Sequence, residues 1–184
     1  MRESLPSAGR RPWARLRQVL DRHRFALDVA LGATFMMVLH LFVLQISIVK
    51  GHSMEPSLED GDRLVVDRFA ADIGDVHRGD VVVLRYPRNP AIDFVKRVVG
   101  LPGDRIAMKS GQVYVNGEIQ TFEWTCIEDR QDLVESTVPD GTYFVLGDNR
   151  PISCDSREFG LVTQELIKGR VRARFWPLDR VAIF

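Results

Sequence analysis

Two residues of this chain, a serine and a lysine, have the types needed to cleave a peptide bond. Ser53 lies in the segment GHSMEPSL at residues 51–58, and Lys96 lies in DFVKRVVG at residues 93–100. A serine becomes a nucleophile only when a base removes its proton, and a neutral lysine can be that base. The lysine must then have a pKa well below its usual value of about 10.4. The pair favours a serine hydrolase.

The sequence around Lys96 predicts surroundings that lower its pKa. If residues 92–99 form a strand, the apolar residues 92, 94 and 98 share the face of Lys96, because side chains alternate along a strand. Burial disfavours the ammonium form and lowers the pKa of a fully buried lysine by about 3–5 units. A surface lysine with its stem on apolar neighbours fits the local pattern equally well.

Histidine, the more common base for serine, has weaker support here. His52 is adjacent to Ser53, but neighbouring side chains of an extended chain point to opposite sides. His77 belongs to no motif that the sequence reveals. Lys96 is therefore the preferred base.

A third segment, GDNRPISCDSREFG at residues 147–160, offers supporting groups. In an extended chain Ser153, Asp155 and Arg157 lie on one side. Asp155 and Arg157 can pair, and Ser153 can present its hydroxyl to a neighbour. Taken alone, the same segment is also consistent with a solvated polar turn.

An apolar stretch precedes these groups and predicts a membrane anchor. Between residues 26 and 48 the only charged residue is Asp28, and about 20 residues cross a hydrocarbon core of about 30 Å. The preceding arm, residues 1–25, carries seven arginines, and positive flanks stay in the cytoplasm. We expect an uncleaved single-pass anchor with a cytoplasmic N-terminus and with residues 49–184 outside the cytoplasm. A buried helix of a soluble protein and a cleaved signal peptide are the alternatives.

The remainder of the chain is typical of a mostly β domain. Short valine-rich runs are bounded by turn signals, and Asn116-Gly117 is a strong hairpin signal. Residues 121–140 show no clear period and are expected to leave the β body. The expected strands are 63–69, 80–86, 92–99, 112–115, 118–120, 142–146 and 170–176, with one short helix at 164–168.

Composition narrows the expected partners. The domain after the anchor is mildly acidic, so nucleic-acid binding is not expected. The four histidines do not cluster and no Cys-x-x-Cys occurs, so neither a metal nor another cofactor is expected. Cys126 and Cys154 lie in a domain where a disulfide is permitted, but the sequence leaves their pairing and the oligomeric state open.

The three segments, in this order, resemble the motifs of the bacterial type I signal peptidase family. Residues 53–58 are similar to its serine motif, 96–104 to its lysine motif and 147–157 to its Ser-x-Asp-Ser-Arg motif. The resemblance implies a β-rich catalytic domain behind a single transmembrane helix. It also implies a serine endopeptidase at the bacterial inner membrane that removes signal peptides from exported preproteins.

The resemblance also implies a role for each polar residue. Ser53 is expected to attack the scissile carbonyl, and its backbone N–H to help bind the oxyanion. Lys96 is expected to act as the general base. Ser153 is expected to hydrogen-bond the Lys96 amine, and Asp155 and Arg157 to stiffen the surrounding wall.

The family cleaves after small residues in an Ala-x-Ala pattern, which implies shallow pockets and an extended substrate. Three positions depart from the family, and one of them is Lys50, which replaces a proline found in some members. Gly51 stands where some members have a serine whose hydroxyl joins the oxyanion hole, and Cys154 is unusual within its motif. The substrate-binding positions implied are Val49, Met54, Leu58, Leu64 and Val95, with backbone pairing near Asp93.

Three other functions stay open at this point. A self-cleaving repressor peptidase also pairs serine with lysine, but it is cytoplasmic and carries a DNA-binding head. A specialised family member could mature pilin or conjugation proteins. A non-enzymatic anchored β domain could bind exported chains.

Overall fold

The computed structural model describes residues 24–37, 44–69, 76–122 and 124–184. Contacts divide the chain into two units, residues 1–41 and 42–184. In the first unit, residues 24–37 form helix α1. Among the described helices, none is both long and apolar enough to cross a bilayer. The predicted basic arm, apart from residues 24 and 25, lies outside the described residues, as do residues 38–43 of the predicted anchor.

The second unit is mostly β, as predicted. Its described residues form one large sheet and one small sheet, joined by short turns and a four-residue helix α2, Ser156–Phe159. The strands are β1 Leu44–Ile48, β2 Arg63–Asp67, β3 Val81–Tyr86, β4 Asn89–Gly100, β5 Arg105–Lys109, β6 Gln112–Val115, β7 Glu118–Ile119, β8 Leu133–Thr137, β9 Thr142–Leu146, β10 Val162–Thr163, β11 Ile167–Trp176 and β12 Ala182–Ile183.

The large sheet has the order β1-β2-β11-β3-β4-β9-β10, with β12 paired to β11, and the small sheet has the order β7-β6-β5-β8. The predicted hairpin is present between β6 and β7. Its turn residues Asn116 and Gly117 have φ values of 56° and 90°. Positive φ at both central positions is the two-residue turn that matches the twist of a hairpin.

The structure differs from the expected elements at two places in the large sheet. Residues Leu44–Ile48, assigned above to the anchor, form β1 and pair with β2. Polar Gln45 and Ser47 alternate with isoleucines, which is the period of a strand. The expected helix at 164–168 is only a 3₁₀ turn, Gln164–Leu166, because Ile167 already pairs with Leu84 of β3.

The expected excursion at residues 121–140 is partly a strand, since β8 pairs with β5 of the small sheet. Apolar side chains of this sheet, including Ile106 and Met108, pack with Val99, Phe144 and Leu146 of the large sheet. The two sheets therefore share one continuous core. That core supports the strands that carry the polar motifs.

Candidate active site

Ser53 lies on a tight turn that is fixed to the core on both sides. Before it, Val49 is buried, and after it Met54 and Leu58 are buried in the same apolar cluster. The Leu58 N–H donates to the Met54 carbonyl at 2.9 Å. The Ser53 carbonyl accepts from the Asn149 N–H at 3.0 Å. The serine is thus held by packing and by the polar segment that follows β9.

Lys96 extends from β4 and reaches Ser53. Its Nζ lies 2.7 Å from Ser53 Oγ, within hydrogen-bonding distance, and only 3% of the residue is exposed. Phe94 and Val98, two positions away on either side, pack in a core cluster that also contains Val82, the partner of Lys96 across the strands. The structure therefore agrees with the predicted apolar face and not with a surface lysine.

The surroundings of Lys96 favour its neutral form. Burial lowers the pKa of Lys96 to about 8, and the negative charge of Asp155 opposes this shift without cancelling it. The Phe94 ring centroid lies 5.1 Å from Nζ. Because the amine is buried against apolar groups and hydrogen-bonded to a hydroxyl, it can accept the proton of that hydroxyl.

Asp155 and Arg157 form the predicted ion pair. Both oxygens of Asp155 accept from the Arg157 guanidinium at 2.8 Å, and Asp155 also accepts from the Gly147 N–H at 3.0 Å. Arg157 in addition pairs with Asp129, which the sequence did not single out. These bonds fix the segment that runs from Gly147 to Arg157 behind the serine.

The predicted hydrogen bond between Ser153 and Lys96 is not formed. Ser153 Oγ is buried and has no partner among the described residues. The hydroxyl nevertheless lies at the site, since a Cβ added to Gly147 would meet both Ser153 Oγ and the Ser53 carbonyl. Lys96 Nζ donates to Ser53 Oγ instead.

A second buried ion pair, between Arg97 and Asp148, links the strand that carries Lys96 to the segment that contacts Ser53. Arg97, the residue after Lys96, donates to both oxygens of Asp148 at 2.9 and 2.6 Å, and both side chains are buried. The next residue, Asn149, donates its N–H to the Ser53 carbonyl. This ion pair was not predicted from the sequence. The sequence feature that could have indicated this pair is the position of its two members within the motifs. Arg97 directly follows Lys96, and Asp148 lies between Gly147 and Asn149.

The backbone near Ser53 offers one N–H for an oxyanion. The Ser53 N–H makes no hydrogen bond with a described residue. In contrast, the Gly51 N–H donates to Asp60 Oδ1 at 2.7 Å. Gly51 has a φ of 96°, a conformation that favours glycine over a serine. Gly51 has no side-chain hydroxyl, and its N–H is already bound to Asp60. Residue 51 therefore supplies no second hydrogen-bond donor for the oxyanion.

Histidine does not act on the serine in this structure. His52 Nδ1 lies 2.7 Å from Glu55 Oε1, in an exposed pair that raises the pKa of His52. His77 lies near Asp80 and Arg170. Among the three candidate bases, all of which lie in the described part of the chain, only Lys96 forms a hydrogen bond with Ser53.

An open groove of about 860 Å³ contains Ser53 and Lys96. Strand β1 lines one side and residues 91–96 of β4 line the other. Strand β1 pairs only with β2, and this part of β4 pairs only with β3, among the described strands. Two strand edges with free backbone groups therefore border the groove, which suits an extended peptide.

Four of the six expected substrate-binding residues line this groove: Val49, Met54, Asp93 and Val95. Leu58 and Leu64 do not. Both are fully buried in the core beneath the turn, so they cannot contact a peptide in this conformation. The lining residues of β1 were not predicted, because the apolar content of residues 44–48 suggested an anchor. Ile92 and Ile152, which also line the groove, were not predicted either.

Both cysteines are free thiols. Cys154 lines the groove, and burial raises its pKa. Cys126 belongs to a separate cavity near the small sheet. In the described part of the chain, no group of histidine, cysteine and acidic residues has an arrangement that could hold a metal ion.

Comparison with known proteins gives the same answer as the motifs. A model of the family "Signal peptidase, peptidase S26" matches residues 22–176. Signal peptidase I of Bacillus caldolyticus is 41% identical over 158 residues, which cover 78% of this chain and 86% of that protein. Signal peptidase IB of Staphylococcus aureus strain Mu50 is 34% identical over 171 residues, covering 83% and 88%.

Among solved structures, a signal peptidase I from Enterococcus faecalis V583 aligns with a TM-score of 0.46 and 35% identity, covering 52% of this chain and 95% of that one. The family match extends over most of the chain, and two curated relatives share more than 30% identity along most of their own lengths. The family resemblance drawn from the three motifs is confirmed: this chain belongs to the signal peptidase family, peptidase S26.

Proposed function

We propose that this signal peptidase cleaves the signal peptides of exported preproteins with Ser53 as nucleophile and Lys96 as general base. The observation that carries the assignment is the 2.7 Å separation of Lys96 Nζ and Ser53 Oγ in an open groove. The lysine is buried and its pKa is about 8, so a usable fraction of the amine is neutral near physiological pH.

The reaction follows from this geometry. Lys96 takes the Ser53 proton as Oγ attacks the scissile carbonyl, and the Ser53 N–H stabilises the negative oxygen of the tetrahedral intermediate. The resulting ammonium gives its proton to the leaving amine, which frees the mature protein. Neutral Lys96 then activates a water molecule that hydrolyses the acyl-enzyme and releases the signal peptide.

The groove supports binding of an extended signal peptide. A peptide strand placed between β1 and β4 can pair with free backbone groups on both sides. Val49, Met54 and Val95 form apolar walls close to the dyad. Such walls leave room for small side chains next to the cut, and backbone near Asp93 continues the pairing.

Ser153, Asp155 and Arg157 are proposed to position the dyad. The Asp155–Arg157 pair holds the segment that carries Ser153 and contacts the Ser53 carbonyl. When Lys96 becomes an ammonium during the reaction, the Ser153 hydroxyl can rotate to accept from it. The hydroxyl is buried and has no competing partner among the described residues.

We further propose a single-pass topology: a basic cytoplasmic arm at residues 1–25, a membrane helix after it, and the catalytic domain outside the cytoplasm. The support for this topology is the apolar stretch that begins at residue 26, directly after an arm with seven arginines. Exposed Ile46, Ile48 and Trp176 support lipid contact by the catalytic domain itself.

The decisive experiment incubates the detergent-solubilised full chain with a purified preprotein and sequences the new N-terminus. We expect one cut after a small residue, with another small residue two positions before it. A panel that includes a pilin-type substrate separates general processing from a specialised role. Binding of the preprotein without any cleavage would contradict the peptidase assignment.

The pH dependence of cleavage is a direct readout of Lys96. Since the active form is the neutral amine, kcat/KM is expected to rise about tenfold per pH unit below pH 8 and to level off above it. The profile should be measured with far-UV circular dichroism at each pH, so that alkaline unfolding is recognised. A midpoint near 10 would contradict the burial of the amine.

A further inference from the structure

Residues 125–132 belong to the stretch that was expected to leave the β body, yet they pair with the polar segment of the active site. Ile127 and Asn149 form a parallel bridge. The Ile127 N–H donates to the Asp148 carbonyl at 2.8 Å, and the Arg150 N–H donates to the Ile127 carbonyl at 2.9 Å. Asn149 is also the residue whose N–H binds the serine turn. Residues 125–132 therefore bond directly to the segment that supports the nucleophile.

Asp129, in the middle of this stretch, forms an ion pair with Arg157. The Arg157 side chain is only 3% exposed. Its Nε and one terminal nitrogen bind Asp155, and its other terminal nitrogen binds Asp129 and the Gln131 amide oxygen. It also donates to the Arg150 carbonyl at 2.7 Å. Asp129 therefore holds one side of a buried cation whose other side holds Asp155.

The small sheet fixes Asp129 in place. The turn between β5 and β6 approaches it so closely that a Cβ added to Gly111 would lie 1.8 Å from the Asp129 carbonyl oxygen. The Gly111 N–H donates to the Gln131 carbonyl at 3.2 Å, and the Gln131 N–H donates to Asp129 Oδ1 at 3.2 Å. The carboxylate is thus held towards Arg157 by its own backbone and by a neighbouring amide.

Asp129 also balances the charge of the wall behind Lys96. Charged side chains of this wall bond to each other or to the backbone of the polar segment. Their formal charges cancel, and without Asp129 one positive charge is left over. A net positive charge near a buried amine disfavours its ammonium form. The members are Arg97, Arg150 and Arg157 on one side of the balance and Asp129, Asp148 and Asp155 on the other.

The amine of Lys96 responds to this wall. Burial lowers the pKa of Lys96 and the charge of Arg157 lowers it as well, while three groups raise it: Asp155, Cys154 and Asp148. Arg157 is the cation among these neighbours, and its charge is shared between Asp155 and Asp129. In the proposed reaction Lys96 becomes an ammonium, so a wall without excess positive charge favours the step in which it takes the serine proton.

We propose that Asp129 is a positioning residue for the cleavage reaction: it fixes Arg157 and thereby the segment behind Ser53, and it supplies the negative charge that lets Lys96 accept the serine proton. The inference rests on the proposed function, since it requires Lys96 to be the base. None of residues 125–132 lines the groove, so this role does not involve contact with the substrate.

The test is Asp129→Asn in the detergent-solubilised full chain, because this change removes the charge and keeps the size of the side chain. We expect kcat for preprotein cleavage to fall about tenfold with KM within about twofold, the pattern of an interaction that acts in the transition state. The acid limb of kcat/KM should also move to lower pH, because an amine beside an excess positive charge loses its proton more readily.

Two further variants separate charge and position from folding. Asp129→Glu keeps the charge, so it should keep the wild-type pH midpoint and recover part of kcat. Asp132→Asn is the matched control, because it makes the same change where the carboxylate accepts from the Ser110 N–H and not from Arg157. It should leave kcat and the pH profile unchanged. The Tm of every variant is measured alongside its activity.

A folded Asp129→Asn protein with the wild-type kcat and pH midpoint would overturn the inference, even if its Tm were lower, because Asp129 would then stabilise the fold only. If Asp129→Asn does not fold, Asp129→Ser, which leaves room for water beside Arg157, gives the same two readouts. Failure of the proposed function looks different: the wild type itself would not cleave, or its activity would lack the acid limb of Lys96.

Discussion

Ser53→Ala and Lys96→Met are each expected to lower kcat/KM for preprotein cleavage by at least about 10⁴-fold. The first removes the proposed nucleophile, and the second removes the only base within hydrogen-bonding distance of it among the described residues. Because the two groups act as one unit, the double variant is expected to be no worse than either single variant. The measurement is cleavage of a purified preprotein, followed over long incubation.

Matched controls separate chemistry from folding. Ser136→Ala and Lys109→Met make the same changes at exposed positions on β8 and β5 and should retain full activity. Cleavage that persists in purified Ser53→Ala or Lys96→Met would exclude the dyad. Loss of activity in the control variants would show that the assay reports stability and not catalysis.

Lys96→Met should also be more stable than the wild type at neutral pH. The folded protein lowers the pKa of Lys96 from 10.5 to about 8, which corresponds to a cost of about 3 kcal/mol. Between these two values the unfolded chain binds more protons than the folded one, so wild-type stability rises with pH. The cost is complete below pH 8 and disappears as the pH approaches 10.5. Urea unfolding at pH 7 and pH 10 measures both effects.

The proximity of Ser53 and Lys96 was expected mainly from the three family motifs, and local pattern supported only the burial of Lys96. A strand alternates its side chains, so the apolar residues at 94 and 98 are consistent with a buried Lys96, although the same pattern also fits a surface lysine. The turn from Asn116 to Gly117 was equally clear, since positive φ favours these two residue types. The ion pair between Asp155 and Arg157 follows from their spacing on one side of the segment.

Other features depend on contacts between distant segments, and the sequence does not reveal them. Leu58 and Leu64 are apolar like the residues that line the groove. Their side chains, however, pack against β3 and β11 in the core, so they do not reach the groove surface. Strand β1 was not predicted because it contains exposed isoleucines that line the groove. In the sequence, the same apolar residues are equally typical of a membrane helix. The pairing of Arg97 with Asp148 joins residues 51 positions apart.

Gly147 lies where the polar segment at residues 147–157 approaches the turn that carries Ser53. Its lack of a side chain permits this close approach, which a substitution can test. A Cβ added to Gly147 would lie 2.5 Å from the Ser53 carbonyl oxygen and closer still to Ser153 Oγ. Its φ is not in the left-handed region, so alanine is excluded by space and not by backbone conformation. Substitution must therefore push the Ser53 turn and the Gly147 segment apart.

Gly147→Ala is expected to lower kcat/KM by about 10²-fold or more, since a displacement of this kind at a nucleophile has effects of that size. The Asn149 N–H bond to the Ser53 carbonyl would be stretched by the same movement. Gly103→Ala is the matched control: its φ of 86° makes alanine strained, but nothing lies near its Cβ, so it should lose stability and keep activity. The Tm of Gly147→Ala should be measured alongside its activity. Near-normal turnover in a folded Gly147→Ala protein would contradict the expectation that close contact between residues 147–149 and the Ser53 turn is needed for cleavage.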